Sequence, residues 1–169
     1  METVFFKGNP CHITGHVPAV GDKAPDFKLV SPTLQEIKPD DFKGKRIVLN
    51  VFPSLDTAVC AMSVRRFNQE AAGLKNTVVV CVSMDLPFAA GRFCSAEGIN
   101  DVVVGSAFRA PEFIRNYGLQ LVDGPLEGLL TRAVLIIDEH RNIIYRDIVE
   151  EITHEPDYKG AIDVLNATK

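Results

Sequence analysis

Apolar and polar residues along this chain form blocks that predict strands and helices in turn. Short runs rich in valine and isoleucine indicate buried strands, and segments whose apolar residues recur every three or four positions indicate helices. The predicted strands are residues 27–30, 47–52, 77–83, 102–104, 131–138 and 142–149. The predicted helices are about 15 residues from near position 60, then 87–96, 111–117 and 157–167. This order favours an α/β fold in which a central mixed sheet is flanked by helices on both faces.

An amino-terminal β-hairpin is predicted ahead of this alternating pattern. Residues 3–7 and 12–16 read as short strands on either side of Gly8-Asn9-Pro10, which is a turn sequence. With 169 residues and no internal repeat, linker or low-complexity segment, the chain is expected to be one domain, residues 1–169. Residues 1–17 would be a hairpin extension of that domain.

Charge and hydropathy exclude several classes of partner. The 18 Lys and Arg residues against 22 Asp and Glu residues leave a net charge of −4, which gives no general attraction to nucleic acid or to anionic membranes. No stretch approaches the ~20 apolar residues needed to span a bilayer. The amino terminus has an early acidic residue, Glu2, and no long apolar region, so no secretory signal is predicted. We therefore expect a cytoplasmic protein with no nucleic-acid or membrane partner.

Cysteine content agrees with a reducing compartment. The chain has only four cysteines, at positions 11, 60, 81 and 94, too few to indicate a disulfide scaffold in a chain of this size. Cys81 lies inside an apolar run and is predicted to be a core residue. Cys11 with His12 and His16 lacks a fourth ligand at a useful spacing, so no metal site is predicted.

Cys60 occupies a position that favours reactivity. The apolar strand 47–52 ends at Pro53, and Cys60 follows near the start of the next helix. The exposed amides and the positive end of the helix dipole favour an anion at such a place. A thiol there loses its proton more readily and becomes a nucleophile.

The residues around Cys60 resemble a known family. Pro53-x-x-x-Thr57-x-x-Cys60 is similar to the active-site signature of peroxiredoxins, and the longer strings 53–60 and 63–68 resemble the bacterial thiol peroxidase subfamily. The resemblance runs nearly end to end and includes the hairpin, residues 21–27, Phe93-Cys94 and residues 131–134. It implies a thioredoxin-like fold and a thiol-dependent peroxidase of the atypical two-cysteine type.

The resemblance also implies a role for each catalytic residue. Cys60 would attack the peroxide, and Thr57 would hydrogen-bond the sulfur and the peroxide through its hydroxyl. Pro53 would shield the pocket from water. Arg132 would stabilise the thiolate and orient the peroxide, a task suited to a side chain that keeps its charge and offers several donors in one plane. No metal or organic cofactor is implied, because sulfur carries the redox step.

By the same resemblance, Cys94 resolves the oxidised Cys60 as an intramolecular disulfide, and thioredoxin restores the dithiol. Since a disulfide needs Cα atoms within about 7 Å and both cysteines are on predicted helices, we expect local unwinding at each. Relatives prefer organic hydroperoxides to hydrogen peroxide and form homodimers, so both are expected here. The apolar pocket rim is predicted to include Phe52, Leu55, Met84 and residues of the loop 119–130.

The sequence also bears on two alternatives to a peroxidase. A thioredoxin-like disulfide reductase would carry Cys-x-x-Cys, but Ser63 stands where the second cysteine is required. A redox sensor or holdase, in which oxidation of Cys60 changes a binding surface, is compatible with the sequence as an added or alternative role.

Overall fold

A computed structural model describes residues 2–71 and 74–168 of the chain. Its strands are β1 (Thr3–Phe6), β2 (Asn9–His12), β3 (Leu29–Val30), β4 (Glu36–Ile37), β5 (Arg46–Val51), β6 (Thr77–Ser83), β7 (Val103–Ser106), β8 (Ala133–Ile137) and β9 (Ile143–Ile148). Its helices are α1 (Ala58–Ala71), α2 (Pro87–Glu97), α3 (Pro111–Tyr117), α4 (Tyr158–Ala167) and a 3₁₀ helix, Pro39–Phe42.

Seven of the strands form one sheet in the order β4-β3-β7-β6-β5-β8-β9, and β1 pairs with β2 in a separate hairpin. The central pairs β5–β6 and β6–β7 are parallel, while the pairs toward both edges are antiparallel. The expected mixed sheet and amino-terminal hairpin are therefore confirmed. None of the helices in the described residues is long and apolar enough to cross a membrane.

The sheet is covered on both faces because its central strands are apolar on both sides. Helices α1, α2 and α4 pack on one face, where Phe67, Ala90 and Leu165 enter one core cluster. The hairpin and α3 pack on the other face, through residues such as Val4 and Phe113. Cys60 belongs to the first of these clusters, so the helix that carries it is packed on the sheet.

The turn and the second strand of the hairpin differ in position from the prediction. Its turn is Lys7-Gly8, with φ of 51° and 81°, and the second strand is β2 rather than residues 12–16. Positive φ at both turn positions is typical of two-residue hairpin turns and favours glycine. Pro10 therefore lies inside β2, opposite Phe5. Proline is tolerated there because a two-stranded ribbon has free edges.

Candidate active site

Cys60 lies in the first turn of α1 and is completely buried, with 0% of its surface exposed. The preceding strand β5 ends at Val51, so the chain reaches α1 through residues 52–57. The Ser63 hydroxyl donates to the carbonyl of Cys60 at 2.7 Å. The position of the thiol at the start of a helix that follows a central strand is the one predicted from the sequence, whereas its complete burial was not predicted.

Arg132 contacts the sulfur of Cys60 directly. It lies immediately before β8 rather than within the strand, and only 2% of it is exposed. Its Nη2 donates to Cys60 Sγ at 3.2 Å, and its Nε donates to the carbonyl of Ile152 at 2.7 Å. Because no carboxylate hydrogen-bonds this buried guanidinium among the described residues, its charge favours an anion at the sulfur or beside it.

One nitrogen of Arg132 is left without a partner. Among the described residues, Nη1 is buried and has no hydrogen bond. A buried donor without an acceptor is costly unless something else satisfies it. The nitrogen is therefore available to an oxygen atom of a bound substrate.

Pro53, Thr57 and Arg132 line one small apolar pocket of about 190 Å³. The other lining residues are Phe6, Ala58, Val59, Leu126, Leu129, Ile152 and Thr153. Pro53 is buried, and Thr57 is exposed. Three of the five predicted catalytic residues thus meet at a pocket whose walls suit an alkyl group.

The Thr57 hydroxyl does not make the hydrogen bond expected for it. It donates to the carbonyl of Ser54 at 2.9 Å rather than to the Cys60 sulfur. Threonine hydroxyls readily bond to backbone groups a few residues away, and here that local bond is the one that forms.

The predicted pocket rim is partly wrong. Phe52 and Leu55 are buried in the core cluster of α1, and Met84 packs against the cluster on the opposite face. Phe52 directly follows β5 and Met84 directly follows β6, so both extend an apolar strand. The loop 119–130 does contribute, through Leu126 and Leu129. Phe6 of β1 and Ile152, which follows β9, were missed, because only the folded chain brings these two distant segments to the pocket.

Asp85 ties the loop before Cys60 to the end of β6. Its carboxylate accepts the Ser54 hydroxyl at 2.8 Å, the Leu55 amide at 2.8 Å and the Ser83 hydroxyl at 2.6 Å. It precedes α2 but does not cap it, because the N-cap residue is Leu86, which makes no side-chain cap. Asp85 instead holds the loop 52–57, which contains Pro53 and Thr57.

We expect Asp85→Asn to lower both the stability of the protein and the reactivity of Cys60 toward an added peroxide. Asparagine keeps one acceptor oxygen where three donors converge, and leaving such donors unsatisfied costs about 1–3 kcal/mol. Urea denaturation measures the loss of unfolding free energy. Asp56→Asn is the matched control, because the exposed Asp56 makes only a 3.7 Å ion pair with Arg92. An Asp85→Asn protein as stable and as active as this control would contradict the assignment.

Cys94 lies on α2, half-buried against the same core cluster as Cys60. Both thiols are free in this structure, and burial raises the pKa of Cys94. The helices α1 and α2 are joined by a two-point ion pair between Arg65 and Glu97, at 3.0 and 2.9 Å. Cys94 is therefore part of a packed helix rather than of an open loop.

The remaining cysteines have structural surroundings. Cys81 is completely buried, accepts a long hydrogen bond from Asn50, and has its pKa raised to about 12 by burial. Cys11 is also buried, which raises its pKa, and it faces Gly124. His12 binds Asp123 through its ring Nδ1 at 2.7 Å. Cys11 and Cys81 are therefore core residues, as predicted for Cys81.

Two known proteins that are similar to this chain are named thiol peroxidases. A thiol peroxidase of Corynebacterium glutamicum is 50% identical over 166 residues, covering 98% of this chain and 100% of that protein. A thiol peroxidase of Leptospira interrogans is 47% identical over 169 residues, covering 99% of each.

Solved structures agree with the fold. A peroxiredoxin-like protein from Aquifex aeolicus superimposes with a TM-score of 0.93 at 40% identity, over 99% of this chain and 97% of that one. A thiol peroxidase from Chromobacterium violaceum has a TM-score of 0.90 at 19% identity, over 99% and 98%, and supports the fold alone. The thioredoxin-like peroxiredoxin fold is thus confirmed. Since the Redoxin family model also matches residues 19–162, this chain belongs to the Redoxin family, as a peroxiredoxin of the thiol peroxidase group.

Proposed function

We propose that this thiol-dependent peroxidase reduces hydroperoxides with two of its own cysteines, Cys60 and Cys94, and prefers organic hydroperoxides to hydrogen peroxide. The observation that carries the proposal is the 3.2 Å contact between Arg132 Nη2 and Cys60 Sγ beside an apolar pocket. A charged donor favours an anionic sulfur, and the apolar walls favour a substrate with an alkyl group.

In the first step, the Cys60 thiolate attacks one peroxide oxygen and the O–O bond breaks. The sulfur becomes a sulfenic acid, and the departing oxygen takes up a proton to leave as alcohol, or as water from hydrogen peroxide. The unpaired Nη1 of Arg132 supplies a donor for the charge that develops on oxygen. Thr57 exchanges its bond to Ser54 for one to the peroxide, and Pro53 keeps water from the sulfur.

In the second step, the Cys94 sulfur attacks the sulfenic sulfur of Cys60, and water leaves as the disulfide forms. Cys60 is buried in α1 and Cys94 is packed in α2, with the Arg65–Glu97 ion pair between the two helices. The first turn of α1 and the end of α2 unwind so that the Cα atoms come within about 7 Å.

In the third step, the dithiol of thioredoxin reduces the Cys60–Cys94 disulfide and is itself oxidised. The cycle needs free thiols, which persist in a reducing cytoplasm, and we propose that the protein acts there. We also propose a homodimer, with the exposed side chains Leu86, Phe88 and Phe108 as candidates for its interface, since aromatic side chains are enriched in protein interfaces.

The test is a coupled assay with thioredoxin, thioredoxin reductase, NADPH and either cumene hydroperoxide or hydrogen peroxide. We expect peroxide-dependent NADPH oxidation with the larger rate constant for cumene hydroperoxide. No turnover with either peroxide, combined with slow oxidation of Cys60, would overturn the proposal and favour the redox sensor or holdase.

Replacing Cys94 with serine is expected to stop thioredoxin-dependent turnover while leaving one rapid equivalent of peroxide consumption. Cys60 still attacks, but its sulfenic acid lacks the resolving thiol, since the other two cysteines, Cys11 and Cys81, are buried in the core. Trapping of the sulfenic acid with dimedone, read by mass spectrometry, measures the stalled intermediate. Ser95→Ala, at the exposed neighbouring position, should turn over normally. Undiminished turnover by Cys94→Ser would remove Cys94 from the cycle.

A further inference from the structure

The segment between β9 and α4 is held between the amino-terminal hairpin and Arg132. On the hairpin side, Phe5 N donates to Glu150 O at 2.7 Å and Ile152 N donates to Phe5 O at 2.8 Å. On the other side, Ile152 O accepts from Arg132 Nε at 2.7 Å. One short piece of backbone therefore contacts both the hairpin and the guanidinium that touches Cys60.

Glu151 fastens this segment to the hairpin turn. Its Oε1 accepts the Gly8 amide at 2.8 Å, and its Oε2 accepts the Lys7 amide at 3.2 Å. Oε2 also accepts the amide and hydroxyl of Thr153, at 3.1 and 2.9 Å. Successive amides in a turn form a concave anion site, and here the carboxylate of Glu151 fills it.

The parts that Glu151 joins are parts of the substrate pocket. Phe6, the residue just before the hairpin turn, forms one wall, and Ile152 and Thr153 form another. Phe6 follows Phe5 on β1, so the bonds between the hairpin and the 149–153 segment help to place Phe6 at the pocket. A hairpin that moved away would open the apolar wall, while the contact between Arg132 and Cys60 involves other atoms.

We propose that Glu151 is a positioning residue that sets the preference for organic hydroperoxides, by holding Phe6 on the hairpin against Ile152 at the pocket. It does not touch the reacting atoms. The inference rests on the proposed function, because it concerns the selectivity of that pocket.

The carboxylate is ionised at any working pH. The amide of Thr153, followed by that of Gly8, lowers the pKa of Glu151 to about 2. His154, Glu150 and Glu155 lie around the same surface groove. The hydrogen bonds from the Lys7 and Gly8 amides to the Glu151 carboxylate are therefore expected to persist down to acid pH. They weaken only as the pH falls from about 4.5 toward 2 and the carboxylate takes up a proton.

The test compares Glu151→Gln with the control Glu150→Gln, which makes the same charge change at the neighbouring, exposed position. Glu150 binds the hairpin through its backbone carbonyl, which the substitution leaves in place. Stopped-flow rate constants are measured for cumene hydroperoxide and hydrogen peroxide. In Glu151→Gln the ratio of the two constants should fall, because a neutral amide binds the turn amides more weakly than a carboxylate does and the Phe6 wall of the pocket opens, with little change for hydrogen peroxide. In Glu150→Gln the ratio should equal that of the wild type.

Two further measurements keep the outcome unambiguous. Hydrogen exchange should show loss of protection at the Lys7 and Gly8 amides in Glu151→Gln only. Phe6→Ala should lower the same rate ratio while those amides stay protected. An unchanged ratio in folded Glu151→Gln, or equal losses for both peroxides, would overturn the inference. Absence of peroxidase activity in the wild type would instead overturn the proposed function.

Discussion

Replacing Cys60 with serine is expected to abolish peroxide reduction and leave the fold intact. Serine has nearly the same shape, so the fully buried site between α1 and the sheet should still be filled. Its hydroxyl is not oxidised by peroxide and is not a nucleophile at neutral pH without a base. Stopped-flow measurement with cumene hydroperoxide and hydrogen peroxide gives the rate, and circular dichroism gives the fold.

The matched control for this variant is Cys81→Ser. It makes the same substitution at another fully buried cysteine, where Asn50 donates to the side chain. We expect this control to keep near wild-type rates. Loss of activity in Cys81→Ser with retention in Cys60→Ser would reverse the assignment of the nucleophile.

Replacing Arg132 with glutamine is expected to slow the reaction of Cys60 with peroxide by about a hundredfold to a thousandfold. Removal of one preorganised donor at developing charge has effects of this size. Glutamine retains hydrogen-bonding atoms but loses the positive charge beside Cys60 Sγ. The measurement is the single-turnover rate constant under excess peroxide, so that reduction by thioredoxin does not limit it.

Stability separates this catalytic role from a structural one. Arg132 is 2% exposed and hydrogen-bonds a carbonyl and a sulfur, so its charge is costly to bury. The variant should therefore be about as stable as the wild type in urea, or more stable. Arg132→Lys should restore the charge but not the fixed planar donors, and should recover only part of the rate. A wild-type rate in Arg132→Gln would contradict the proposed role.

The sequence predicted the parts of the fold that rest on local patterns. Strand β6 and helix α3 have the predicted bounds, because an apolar run and a proline start mark them. Gly98 and Gly118 end α2 and α3 with φ of 64°, a conformation that favours glycine. The strand β4 was missed, since two residues are too short for any periodicity.

The site was predictable in part. Cys60 and Arg132 are 72 positions apart, yet the family resemblance named both, and the structure brings them to 3.2 Å. The roles of Phe6, Asp85 and Glu151 could not be predicted from local patterns. The contact between Glu151 and Gly8 spans 143 positions and joins a turn to irregular backbone, so neither helical nor strand periodicity indicates it.

The most direct test of the two-cysteine cycle is a disulfide map. Fully reduced protein receives one equivalent of cumene hydroperoxide and is then alkylated, digested and examined by mass spectrometry. We expect a Cys60–Cys94 link within one chain, with Cys11 and Cys81 alkylated. Unreacted Cys60, or a disulfide that omits it, would exclude the two-cysteine cycle.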